Sequence, residues 1–223
     1  MVLPLEHDGV SQLTGVLAVA AWLSLLSGAA LLLRHRWPEQ REWSRKLVHI
    51  GAGPVVLIAW AFGVERLIAV PAAGAITLLA ALNHRVRVLP AIEDVERRSY
   101  GTIAYGASIT LLLWIWWPAQ PATVAAGVLV MAFGDGLAGL LGPLIPSPCW
   151  TVFGERRSLV GTAAMGIASL TVLLSLGLLG GGPAPAWIAL IALVATGLEQ
   201  WALLGIDNFS VPLAVAGLWW WLS

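Results

Sequence analysis

Charge is the scarcest feature of this chain: Asp, Glu, Lys and Arg together make up 11% of its 223 residues, against about 25% in an average soluble domain. Hydrophobic residues make up 59% and the mean hydropathy is +0.85, which places the chain among integral membrane proteins. Twelve basic and twelve acidic side chains cancel to a formal net charge of zero. No global basic field exists to attract nucleic acid, and no nucleic-acid partner is expected. The single cysteine, Cys149, excludes a disulfide within the chain and any cysteine-based zinc or redox motif. Ahead of the first apolar run stand Glu6 and Asp8 but no Lys or Arg, and the run is too long for a signal peptide, so no cleaved signal is expected. A Walker A loop is also missing, since neither GPLIPSPC at 142–149 nor GERRSLVG at 154–161 fits its pattern.

What is present is a series of apolar runs, at about 11–33, 47–63, 67–82, 100–117, 122–141, 159–179, 186–204 and 209–222. A spanning helix needs around 20 residues, so the third and last are marginal and seven or eight spans are expected. None of the runs alternates as barrel strands do, and lipid demands internally paired backbone. The expected fold is all-α, a polytopic transmembrane bundle forming one integral membrane domain over residues 1–223.

Orientation follows from the basic residues. Arg34, Arg36, Arg41, Arg45 and Lys46 follow the first run; Arg85, Arg87, Arg97 and Arg98 follow the third; Arg156 and Arg157 follow the fifth. Five, four and two make 11 of the 12 basic residues in alternate loops, with Arg66 alone on the other side. This predicts an N-terminus outside and three cytoplasmic loops. Trp114, Trp116, Trp117 and Trp219 to Trp221 then fall at the outer interface, where anchoring aromatics are expected.

An ionised carboxylate in the middle of a transmembrane helix costs roughly 2.5 to 3.5 kcal/mol on insertion scales and is kept only where something compensates. Asp135, unpaired within its apolar run, is therefore a site candidate. Ala138 and Gly142 share its helical face and leave room for a ligand or another helix. Gly134, Gly136 and Gly139 read equally well as helix-packing positions. His49, Glu199, Asp207 and Asn208 also lie toward the cytoplasmic ends of their runs, and a polar chamber open to that side would accommodate all of them.

Four constellations recur on this side: Glu42, Ser44, Arg45, Lys46 and His49; Glu93, Asp94, Arg97, Arg98, Ser99 and Tyr100; Asp135 with Arg156, Arg157, Ser158 and Gly161; and Glu199 with Asp207 and Asn208. Carboxylates with converging cations suit a metal-bound polyphosphate, because phosphoryl transfer rests on positioning and charge stabilisation around a divalent ion. The membrane location points to a lipid acceptor. Each group has a plainer reading: His49 as a buried histidine bonded to a carbonyl, Asp135 as half of a structural ion pair, Glu93 and Asp94 as a solvated loop face.

Five segments in order, RKLVHIGAGP at 45–54, RRSYGTIAY at 97–105, GDGLAGLLG at 134–142, RRSLVG at 156–161 and DNFSVP at 207–212, resemble the motifs of the CTP-dependent dolichol, phytol and polyprenol kinases. The resemblance covers residues 42–213. The nucleotide motif of dolichol kinases falls on Asp135, Ala138, Gly142, Arg156, Arg157, Ser158 and Gly161; Val160 stands where the family often has Glu, arginines replace lysines, and Pro146 interrupts the Gly-rich part of the loop. The short chain is more like phytol kinases than the longer dolichol kinases.

The resemblance implies a CTP:prenol phosphotransferase acting on phytol or a related polyprenol and feeding tocopherol synthesis. Asp135 and Asp207 are the expected Mg²⁺ ligands. Lys46, Ala138, Gly142, Arg156, Arg157, Ser158 and Gly161 are expected at the nucleotide, and His49, Asp94, Arg98 and Asp135 at the chemistry, with His49 or Asp94 on the acceptor hydroxyl. Tyr100, Glu199 and Asn208 are expected to support the site. A membrane phosphatidate cytidylyltransferase, a diacylglycerol kinase and an ion-coupled secondary transporter are the alternatives.

Overall fold

The computed structural model describes residues 9–86, 100–201 and 205–223. Over the described residues the apolar runs are mainly helical, the form that pairs backbone groups within their own segment. In order, the described helices are α1 (Gly9–Arg36), α2 (Arg41–Ala52), α3 (Val55–Ala61), α4 (Arg66–Val86), α5 (Gly101–Trp116), α6 (Pro121–Leu129), α7 (Gly136–Leu144), α8 (Leu159–Gly180), α9 (Pro185–Gln200) and α10 (Asp207–Leu222). A π-helical turn, Val130–Asp135, joins α6 to α7. The protein is an all-α polytopic bundle, with four helical stretches long and apolar enough to cross a membrane and shorter apolar helices beside them.

The continuous stretch Pro121–Leu144 is the axis of the bundle. Two thirds of its apolar window is buried, against about a tenth for α1 and α4 and a third for α8. The small residues Ala125, Ala126 and Ala132 and the β-branched Val124, Val128 and Val130 let α3, α5, α8 and α10 close around it. The large side chains of α1 and α4, such as Leu25, Leu32, Leu67 and Leu79, point outward, as expected for surfaces that meet lipid.

The second apolar run is not one helix. Pro54 has no N–H to donate to the Ile50 carbonyl, so the Gly53 amide takes that carbonyl at 3.2 Å and the chain breaks between α2 and α3. Two of the expected tryptophan anchors are interior residues. Trp117 and Trp219 are each 2% exposed, Trp117 donating its indole N–H to the Val64 carbonyl at 2.7 Å, whereas Trp114, Trp220 and Trp221 are exposed as expected.

The loop after α7, featureless in hydropathy, contains a β-hairpin. Strands β1 (Cys149–Val152) and β2 (Glu155–Ser158) pair antiparallel, with Trp150 opposite Arg157 and Thr151 opposite Arg156. Phe153 (φ 49°) and Gly154 (φ 84°) form the two-residue turn, whose positive φ values match the twist of a tight hairpin. β2 runs straight into α8, where Ser158 Oγ accepts the Gly161 amide at 3.1 Å and caps the helix.

Candidate active site

Lys46 and His49 lie three residues apart on α2 and so share a face, which turns toward the end of the π-helical turn. Lys46 Nζ donates to Asp135 Oδ2 at 2.7 Å and to the Asp135 carbonyl at 3.2 Å. Asp135 is therefore paired, and its partner comes from a segment far away in sequence. His49 Nε2 lies 3.3 Å from the same carboxylate oxygen and 3.2 Å from the Met131 carbonyl. Both neighbours only accept hydrogen bonds, so Nε2 carries a proton, and in the neutral ring the lone pair is on Nδ1. The imidazole stacks on Tyr105 with ring centroids 4.4 Å apart, and the Tyr105 hydroxyl donates to the Val128 carbonyl.

π-helical turns are concentrated at functional sites because they displace the side chains around them from regular helical spacing. Here the turn ends on Asp135 and carries it toward α9 and α10. Carboxylate oxygens of Asp135, Glu199 and Asp207 lie within 4.8 Å of one another. Glu199 and Asp207 are buried, and Asn208 donates to Asp207 Oδ1 at 3.3 Å. Among the described residues, Lys46 and Arg157 form ion pairs with members of this group. Three carboxylates that offer only oxygen ligands in a low-dielectric interior fit a hard divalent cation such as Mg²⁺.

The hairpin is fastened to the end of α9 at three consecutive residues. Arg157 forms an ion pair with Glu199, Trp150 donates its indole N–H to Gln200 Oε1 at 3.2 Å, and Phe153 meets Trp201 edge to face. Gln200 in turn donates to Glu199 Oε2 at 2.6 Å and to Thr162 Oγ1 at 3.0 Å. Arg156 points the other way, exposed, with Cys149 Sγ 3.4 Å from one of its nitrogens.

Three of the candidate positions, Ala138, Gly142 and Gly161, form the close approach of α7 to the start of α8. A Cβ on Gly142 would lie 2.9 Å from Ser158 Oγ and 3.4 Å from Gly161 Cα. Gly134, Gly136 and Gly139 are spaced like the glycines of a phosphate-binding turn but lie within the helical axis. Each faces a side chain from a neighbouring element, Met165, Ile50 and Lys46 respectively, so they are contact positions rather than a phosphate loop.

The structure thus gathers Lys46, His49, Asp135, Arg157, Ser158, Glu199, Asp207 and Asn208 at one end of the bundle. Tyr100 lies exposed just before α5, and Tyr105 of the same segment enters the site instead. Asp94 and Arg98 lie outside the described residues. Two members were not singled out from sequence, Tyr105 and Gln200. Gln200 could have been noticed as a second polar residue beside Glu199 in an apolar run.

Fold and site together define a membrane-integral protein with an interior cluster of acids and cations at one end of its bundle. The chain is 38% identical to the "Phytol kinase" of Synechocystis sp. (strain ATCC 27184 / PCC 6803 / Kazusa) over 205 residues, 90% of this chain and 88% of that one. It belongs to the phytol kinase family of prenol kinases. No family model and no solved structure matches it.

Proposed function

We propose that the protein phosphorylates phytol, or a closely related prenyl alcohol, with CTP as donor, and that it does so at the cytoplasmic side of the membrane. The observation that carries the reading is its similarity to a phytol kinase along nearly the whole of both chains. The interior cluster supplies what such a reaction needs. Asp135 and Asp207, with Glu199 beside them, would hold Mg²⁺, which neutralises charge on the transferred phosphoryl group. Lys46 holds the Asp135 carboxylate in place, and Arg157 and the hydroxyl of Ser158 stand at the start of α8, where they would meet phosphate oxygens. His49, with Nδ1 unprotonated, is the group that takes the proton of the acceptor hydroxyl. The alcohol's hydroxyl enters the cluster while its chain remains among the helices.

The deciding experiment incubates the purified protein with Mg²⁺, γ-labelled CTP and a panel of phytol, geranylgeraniol, farnesol, dolichol and diacylglycerol. Label on phytol with release of CDP is the expected result. Transfer of the cytidylyl group with loss of pyrophosphate, or label on diacylglycerol alone, would overturn it.

A further inference from the structure

Glu199 belongs to two constellations at once. One carboxylate oxygen is the ion-pair partner of Arg157 on the hairpin, the other accepts from Gln200 at 2.6 Å, and the group lies within 4.8 Å of the carboxylates of Asp135 and Asp207. A carboxylate turned toward Arg157 occupies the place where the arginine would otherwise take phosphate oxygens. Turned toward Asp135 and Asp207, it completes a third oxygen ligand for a divalent cation. Both of its oxygens are engaged in this arrangement, so binding a cation would draw at least one of them from its present partner. The hairpin itself need not move for the exchange, because Trp150 on Gln200 and Phe153 on Trp201 fasten it independently of the ion pair.

We propose that Glu199 is a positioning residue that couples cation binding to nucleotide binding: it holds Arg157 when the cation is absent and releases it to the nucleotide phosphates when the cation draws the carboxylate inward. This rests on the reading of the acid cluster as the Mg²⁺ site and of CTP as the donor. The coupling is reciprocal by linkage, so Arg157 restrains Glu199 from the cation as much as Glu199 restrains Arg157 from the nucleotide.

The test is equilibrium binding of CTP to the full-length protein in detergent, in EDTA and in Mg²⁺, for wild type, Glu199→Gln, Glu199→Ala, Arg157→Ala and the Glu199→Gln/Arg157→Ala pair. In EDTA, the Glu199 variants should bind CTP about tenfold more tightly than wild type, the worth of one charge-assisted hydrogen bond. Their further gain from Mg²⁺ should shrink. Simple removal of negative charge would give a gain that survives in the Arg157→Ala background; release of the arginine predicts that the gain vanishes there, and its survival overturns the proposal.

A second readout holds if the Glu199 variants do not fold. Mn²⁺ affinity without nucleotide, followed by electron paramagnetic resonance, should rise in Arg157→Ala and stay near wild type in Arg156→Ala, which removes the same charge from an exposed position. Equal changes in both overturn the proposal. Wild-type protein that binds no CTP even with Mg²⁺ would overturn the functional reading itself, whereas Mg²⁺-dependent binding without the Glu199 effect would overturn only the coupling.

Discussion

Lys46 Nζ spans the gap between α2 and the central helix to reach both the carboxylate and the main-chain carbonyl of Asp135, at 2.7 and 3.2 Å. Both side chains are nearly withdrawn from solvent, at 10% and 13% exposure. The pair fixes the carboxylate and joins the first motif segment to the third, so its energetics and its chemistry are separable by substitution.

Asp135→Asn removes the charge and leaves Lys46 without its counterion. Breaking a mostly buried pair costs about 3 to 5 kcal/mol, so this variant should lose thermal stability as well as turnover. Asp135→Asn with Lys46→Met removes both charges. The double variant should recover much of the Tm while remaining at least about a hundredfold below wild type in kcat, the scale of losing a major electrostatic group in an active site. Recovery of activity together with stability would make the pair purely structural.

Gly139 owes its place to the same lysine. A Cβ there would lie 2.6 Å from Lys46 Nζ and closer still to its Cε. Because the colliding atoms end a flexible chain, Gly139→Ala should displace the ammonium from Asp135 rather than unfold the helix, where alanine is favoured over glycine by about 1 kcal/mol. The expected outcome is a Tm below that of wild type, because the helix gain offsets only part of the disturbed ion pair, with kcat/KM reduced about tenfold or more. An unaffected kcat/KM would show that the position of Lys46 does not matter for turnover.

His49 offers a test of the proton path. With Nε2–H directed at Met131 and Asp135, the basic nitrogen is Nδ1. His49→Gln retains a polar side chain of similar reach but supplies no base, and should lower kcat by about 10² to 10⁴ with little change in KM for CTP. A change in Tm with kcat per folded molecule preserved would reduce His49 to a packing residue against Tyr105.

The course of the apolar runs is legible because helix length and hydropathy are set by the bilayer, and the embedded acids Asp135, Glu199 and Asp207 stand out against it. Their convergence is not legible, since it depends on which helices adjoin. Lys46 is expected at the nucleotide from the sequence, but its pairing with Asp135 appears only once α2 is packed against α7. The π-helical turn leaves no periodic signature over six residues, and the hairpin's four-residue strands and Phe-Gly turn lack the Asn-Gly or Asp-Gly signal that marks such turns. Pro54 does announce the break in the second run, but an apolar count alone passes over it.

The proposed membrane orientation rests on the 11 basic residues that follow alternate apolar runs, against Arg66 alone after the second, and the protein carries its own reporter of it. Cys149 is the only cysteine and is exposed on the hairpin, next to Arg156 and on the same end of the bundle as the acid cluster. In sealed cells an impermeant thiol reagent should fail to label it, and permeabilisation should expose it. With Cys149→Ser as background, a cysteine at Gly182, in the turn between α8 and α9, should show the opposite pattern. A Cβ there presses on the Trp219 indole, so the neighbouring Gly181, where nothing lies within 4 Å, is the control position despite its positive φ. Labelling of Cys149 from outside, with protection at 181 and 182, would invert the bundle and place the acid cluster on the side without cytoplasmic CTP.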